Sequence, residues 1–188
     1  MRVGVLALQG DFAAHAKALE RVGTESVEVR TAEQLARCDA LIIPGGESTV
    51  IGKLMVRYGL FEAIQSFTGP IWGTCAGLIL LGKTITQGEE RGGQPTLGLM
   101  DISVARNAFG RQIDSFEADI DSTLGPIHGV FIRAPYIVEA GDGVEELASY
   151  NGKLVLARQG RFLASAFHPE LTDDTTLLKY FLSFKDQQ

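Results

Sequence analysis

Cysteine is scarce in this chain: Cys38 and Cys75 are the only two among 188 residues. Two thiols are too few for a disulfide framework, and neither sits at metal-ligand spacing, so no metal site is expected. A reducing, cytoplasmic setting is the corresponding expectation. Long apolar runs are missing too. No stretch approaches the ~20 residues that a membrane-crossing helix needs, and Met1-Arg2-Val3-Gly4-Val5 reads as a strand rather than a leader peptide. Basic charge is outweighed, with 17 Lys and Arg against 23 Asp and Glu and a formal net charge of −6. Nucleic acid and acidic membranes attract basic surfaces, so neither is an expected partner. Histidine occurs only as His15, His128 and His168, which narrows any chemistry that needs an imidazole. Repeats, low-complexity tracts and linker-like stretches are absent as well. What remains is an ordinary globular composition, 45% hydrophobic and 21% charged. Its length fits a single domain, residues 1–188, with a real core.

Apolar runs and helical periods alternate through the first half. Residues 3–8 form a short apolar run ending at Gln9-Gly10, a buried strand. Phe12, His15, Leu19 and Val22 then recur at helical spacing, with Gly23 as a stop. Residues 26–30 alternate as a second strand, and Thr31 with Gln34 forms a capping-box pattern for a short helix. Residues 40–43 are a third strand, broken by Pro44-Gly45-Gly46. Val50, Ile51, Leu54, Met55 and Tyr58 mark the next helix, and Gly69-Pro70 introduces the strand before Cys75. Such alternation implies parallel strands covered by helices. Beyond a polar stretch at 87–95, read as an exposed loop, short β-like runs take over at 102–105, 115–120, 129–132, 136–139, 147–150, 153–158 and 162–167. Asn151-Gly152 is a strong hairpin signal because both residues tolerate positive φ, and Gln159-Gly160 suggests a second. A closing helix carries Leu177, Leu178, Phe181 and Leu182, capped near Asp173 or Asp174. The expected architecture is α/β, a mostly parallel central sheet with an antiparallel addition in the carboxy-terminal half. Sites in such sheets form at the carboxyl ends of strands, where Gln9-Gly10, Gly45-Gly46-Glu47 and Cys75 all fall.

The chemistry centres on Ile71-Trp72-Gly73-Thr74-Cys75-Ala76-Gly77. This Gly-x-Cys-x-Gly sequence is the thiol counterpart of the Gly-x-Ser-x-Gly elbow, a sharp strand-to-helix turn that presents a nucleophile. A cysteine there faces a helix amino end, which favours the thiolate. Taken alone, the same residues also fit a small buried cysteine between two packing glycines. A base and an orienting group must accompany a nucleophile. His15, on an amphipathic helix, reads as a surface or boundary histidine, and His128, after Gly125-Pro126, as a turn residue. His168 follows the last strand and precedes Pro169-Glu170. In an extended segment residues two apart point the same way, so Glu170 can reach its ring and stabilise an imidazolium. The amide of Ala76 and the turn at Pro44-Gly45-Gly46-Glu47-Ser48 can supply oxyanion donors. Taken alone, Arg106 and Arg133 read as ordinary surface arginines.

Pro44-Gly45-Gly46, Gly73-Thr74-Cys75-Ala76-Gly77 and His168-Pro169-Glu170, in that order, resemble the class I, triad-type glutamine amidotransferases. Within them, residues 5–10, 44–49, 106–112, 115–117 and 131–135 resemble the glutaminase subunits of pyridoxal 5′-phosphate synthases. The resemblance implies a flavodoxin-like three-layer fold, with Cys75 as nucleophile, His168 as base and Glu170 as its orienting carboxylate. It implies that Gly46, Glu47, Ser48, Arg106, Ile132 and Arg133 hold L-glutamine, and that backbone at Gly45, Gly46 and Ala76 forms the oxyanion hole. It further implies glutamine hydrolysis without metal or organic cofactor. The ammonia would pass to a separate lyase-type synthase subunit in a large hetero-oligomer, which activates the glutaminase. A glutaminase serving histidine biosynthesis and a non-hydrolytic thiol redox module are the alternatives.

Overall fold

A computed structural model describes residues 1–87, 93–106 and 115–184. The amino-terminal half runs β1 (Arg2–Leu6), α1 (Phe12–Arg21), β2 (Glu25–Val29), α2 (Ala32–Leu35), β3 (Ala40–Ile43), α3 (Ser48–Arg57), α4 (Leu60–Gln65), β4 (Ile71–Thr74) and α5 (Ala76–Leu81). Then follow β5 (Gly82–Gln87), β6 (Met100–Ala105), β7 (Ser115–Ser122), β8 (Gly125–Ile132), β9 (Tyr136–Ala140), β10 (Glu145–Tyr150), β11 (Lys153–Gln159), β12 (Phe162–Ser165), a 3-10 turn at Pro169–Leu171 and α6 (Thr176–Leu182).

Five strands pair side by side in parallel, in the order β2-β1-β3-β4-β12. That is the flavodoxin-like order, with β12 as the fifth strand. Inside the edge strand β2, the strands are buried on both faces, which is why β3 reads as an unbroken apolar run, Ala40-Leu41-Ile42-Ile43. Beyond β12 the sheet turns antiparallel through β11, β10, β7 and β8, with β9 linking β11 to β6 and β5 beside β6. The protein is therefore α/β with a curled mixed sheet.

Local signals explain most boundaries. Thr31 and Gln34 make a full capping box on α2. Asn151 and Gly152 both have positive φ, 49° and 72°, and close the β10–β11 hairpin. Gly160, at φ 56°, closes β11–β12. Two readings change, and one strand was not foreseen. The residues after α5 continue directly into β5, which pairs with β6, a non-local pairing with no sequence period of its own. The cap of α6 is Thr175, although Asp174 accepts a 2.8 Å hydrogen bond from the Thr176 amide. The stretch expected as a loop at 87–95 lies partly outside the described residues, and its described end is half-buried, because Gln94 reaches inward to Ser48 and Thr49.

Candidate active site

The elbow is built by close backbone contact. A Cβ on Gly73 would lie 2.4 Å from the Gly77 carbonyl group, and one on Gly77 would lie 2.2 Å from Ile43 O. Only glycines let α5 sit so tightly against β3 and β4. Between them Cys75 takes φ 48°, ψ −100°, a strained conformation for a side-chain-bearing residue. Its amide donates to Ser165 O at 2.8 Å, joining the elbow to the end of β12. Its Sγ lies 3.9 Å from Ile132 O.

His168 arrives three residues past β12, its amide bonded to Val130 O at 2.8 Å. Nδ1 lies 2.8 Å from Glu170 Oε1. The contact forms, but not through the extended segment expected. Pro169 opens a 3-10 turn over Pro169–Leu171, with His168 capping it, because the fixed φ of proline suits a helical first position. Glu170 folds back to its partner around that turn. A proton on Nδ1 directed at the carboxylate leaves Nε2 for chemistry.

The other histidines differ from expectation. His15 is buried, at 1% exposure, not a surface or boundary residue. Its Nε2 lies 3.1 Å from Thr74 Oγ1 and 3.4 Å from Glu170 Oε1. The helical period that placed it on the apolar face of α1 also buried it. His128 sits within β8 rather than in a turn, exposed and bonded to Asp119 at 2.7 Å and Glu117 at 3.2 Å. It does not line the cleft described next.

A cleft of about 450 Å³ opens above Cys75. Every candidate substrate or oxyanion residue lines it: Gly45, Gly46, Glu47, Ser48, Ala76, Arg106, Ile132 and Arg133. Cys75 and His168 lie in its wall, and Glu170 stands behind His168. Gln9, Asp11, Ile79 and Pro135 complete the lining. Gln9 carried a signal, since it follows β1 at the carboxyl edge of the sheet. Its Oε1 accepts from the Glu47 amide at 2.8 Å, and a Cβ on Gly46 would crowd that oxygen at 2.6 Å. Asp11 was hidden by its role as the cap of α1. Ser48 Oγ is engaged with Gln94 Oε1 at 3.1 Å, and Arg106 Nη1 reaches the same oxygen at 3.2 Å. Arg133 Nη2 and Glu47 Oε1 face each other at 4.0 Å, both exposed. Arg133 holds φ 42°, a turn that follows directly on Ile132 at the end of β8. Residues 107–112 of the resembling segment lie outside the described residues.

The charges are ordered. Burial alone pushes the His168 imidazole down, but its contacts with Cys75 and Glu170 outweigh burial and lift it to about 10. Burial raises Glu170, while the adjacent imidazoles of His15 and His168 pull it below the usual carboxylate range. One carboxylate cannot hold two imidazolium ions in a buried space. Burial depresses His15 despite Glu170, and the positive His168 depresses it further, so His15 is neutral and His168 carries the charge. Among the described residues no group of three or more His, Cys, Asp or Glu side chains could hold a metal ion.

A strained cysteine at the head of a flavodoxin-like sheet, beside a carboxylate-paired histidine, has the geometry of a thiol-dependent amidotransferase. The profile of the SNO glutamine amidotransferase family matches residues 5–186, and the chain belongs to that family. It is 59% identical to the pyridoxal 5′-phosphate synthase subunit PdxT of Pelotomaculum thermopropionicum, covering 97% of this chain and 94% of that one. It is 55% identical to the same-named subunit of Desulforudis audaxviator, covering 99% and 100%. A solved glutamine amidotransferase superposes with a TM-score of 0.92 at 51% identity over 98% of both chains. The PurLQS structure from Thermotoga maritima, at 15% identity and TM-score 0.70, shares the fold.

Proposed function

We propose that this chain is the glutaminase subunit of a pyridoxal 5′-phosphate synthase, acting as one domain over residues 1–188. It hydrolyses L-glutamine to L-glutamate and ammonia. The single observation that carries the reading is the placement of Cys75 and His168 in one cleft with the opposed charges of Arg133 and Glu47 at 4.0 Å. A free amino acid carries both complementary charges. Arg133 and Arg106 take its α-carboxylate, Glu47 its α-ammonium, and the side-chain amide points down to Cys75.

The thiolate of Cys75 attacks the amide carbon, and the carbonyl electrons move to oxygen. The amides of Ala76 and the Gly45-Gly46 turn stabilise that oxyanion. His168, protonated and held by Glu170, gives its proton to the departing nitrogen, and ammonia leaves with formation of a γ-glutamyl thioester. Water, deprotonated by the now neutral His168, attacks the thioester, releasing glutamate and returning the thiolate. Neither a metal nor an organic cofactor enters.

The ammonia passes to a separate synthase subunit within a large hetero-oligomer in the cytoplasm, and that partner activates the site. The family match and the two PdxT relatives support this assignment. The test is ammonia release from glutamine with and without a pyridoxal 5′-phosphate synthase subunit. Activation by that partner is expected. Cys75→Ser abolishes release and the thioester adduct while still binding the partner. Activation only by the synthase of another amidotransferase pathway overturns the reading.

A further inference from the structure

His15 is a buried titratable group that the mechanism above leaves unused. It shares its oxygen partner with the mechanism, because Glu170 Oε1 lies 2.8 Å from His168 Nδ1 and 3.4 Å from His15 Nε2. Glu170 is only 6% exposed, and its second oxygen, Oε2, has no hydrogen-bond partner among the described residues. A buried carboxylate held from one side alone is free to swing about its last torsion, which is broad and two-fold. His15 adds a second contact, on the same oxygen that faces His168. Trp72 stands edge-on to the His15 ring at 6.0 Å and is itself pinned by a 3.0 Å bond from Nε1 to Ser165 Oγ. The imidazole therefore has a fixed wall behind it.

The tautomer follows from the surroundings. With its proton on Nδ1, His15 would turn the Nε2 lone pair toward a carboxylate oxygen, and the two would repel. With its proton on Nε2, it points an N–H between Thr74 Oγ1 at 3.1 Å and Glu170 Oε1 at 3.4 Å. Thr74 directly precedes Cys75, and Glu170 orients His168. One side chain from α1 thus ties the strand carrying the nucleophile to the turn carrying the orienting acid. We propose that His15 is a positioning residue of this site: its Nε2–H holds the Glu170 carboxylate toward His168 and links it to Thr74. The inference rests on the assignment of Cys75, His168 and Glu170 as the working triad.

Three variants test it in the full chain. His15→Leu keeps bulk without a donor. His15→Asn keeps polarity, but its amide reaches only as far as Nδ1. His15→Gln places an N–H near the Nε2 position. In the activated complex, Leu and Asn are expected to lower kcat for glutamine hydrolysis roughly 10- to 100-fold, with KM within about twofold, while Gln recovers most of the loss. In the isolated chain, the low-field proton resonance of the His168–Glu170 hydrogen bond is expected to persist in Gln and to shift or vanish in Leu and Asn. A role in packing alone would let Asn and Gln behave alike and would not split kcat from KM. Wild-type turnover by Leu or Asn, or a Gln variant as slow as Asn, overturns the proposal. Absence of glutaminase activity in the wild-type complex would instead sink the glutaminase assignment, and the resonance comparison would still decide the role of His15.

Discussion

Gly45 and His168 meet without space for a methyl group: a Cβ on Gly45 would lie 2.4 Å from His168 Cε1 and 3.4 Å from Cys75 Cβ. The backbone at Gly45 has no left-handed requirement, so Gly45→Ala folds and the imidazole must yield. A displacement near 1 Å at a reacting group costs about 10²-fold in rate. Steady-state kinetics of Gly45→Ala in the activated complex are expected to show that loss in kcat, with the thermal midpoint close to wild type. Full activity would mean that His168 does not act from its observed position.

Glu170→Gln keeps the shape of the carboxylate and removes its charge. Without that charge His168 keeps Cys75 but loses the second contact that offsets its burial, and its imidazole falls from its raised value. Titration of the His168 ring by NMR is expected to show this fall, and kcat to drop on the order of 10²- to 10⁴-fold, as when the acid of a triad is neutralised. An unchanged His168 titration would separate Glu170 from the base.

Arg133 combines a charge at the mouth of the cleft with a left-handed φ of 42°. Glycine relieves that conformation, so Arg133→Gly is expected to be at least as resistant to urea as the wild type. Losing a charge-assisted grip worth about 1.5–3 kcal/mol raises KM for glutamine roughly 10- to 100-fold. Arg133→Ala is expected to share the KM defect and to be less stable than Arg133→Gly.

Stability is expected to peak close to pH 6.5. The folded-state pKa of His15 lies below its ordinary 6.5, so the unfolded chain takes that proton first. Stability therefore falls as pH drops below 6.5, by up to about 1.4 kcal/mol per pH unit. Glu170, depressed below 4.5, adds a further loss at lower pH. His168 has the opposite sign. Its raised pKa gives stability that is fully present below 6.5 and is lost as pH rises through about 10. Urea midpoints between pH 5 and 9 check this. His15→Gln flattens the acid side and His168→Asn the alkaline side.

The parallel half of the fold was legible because each of its parts carries a local signal: the apolar run of β3, the capping box of Thr31 and Gln34, the glycines around Cys75. The hairpin at Asn151-Gly152 was legible for the same reason. Strand β5 was not, since its order comes from β6, 19 residues on at Thr84↔Ser103. Apart from Asp11, the residues lining the cleft fall in stretches that were legible from motif and resemblance together. His15 was not, although it stood in the apolar stripe of α1. A histidine in that stripe is either at the boundary or paired inside, and the deciding partner, Glu170, lies 155 positions further along the chain. The link from His168 to Glu170 was right in outcome and different in path, because Pro169 starts a turn where an extended segment was expected.

Strand β12 lies beside β4 in parallel register, with Ala164 opposite Gly73 and Ser165 opposite Thr74. The nucleophile and the base both emerge just past that last rung. The repeat of the sheet, about 4.8 Å between neighbouring strands, therefore sets how far apart the two carrying backbones leave it, and the side chains around them complete the approach. Sequence drift at the surface leaves that backbone spacing untouched, and a slip of strand register would destroy it. A slip by one residue would turn every side chain of β12 to the opposite face. The placement of the two backbones thus behaves as a quantised dimension, either correct or lost, and finer tuning of the gap between thiol and imidazole is left to the side chains that crowd them.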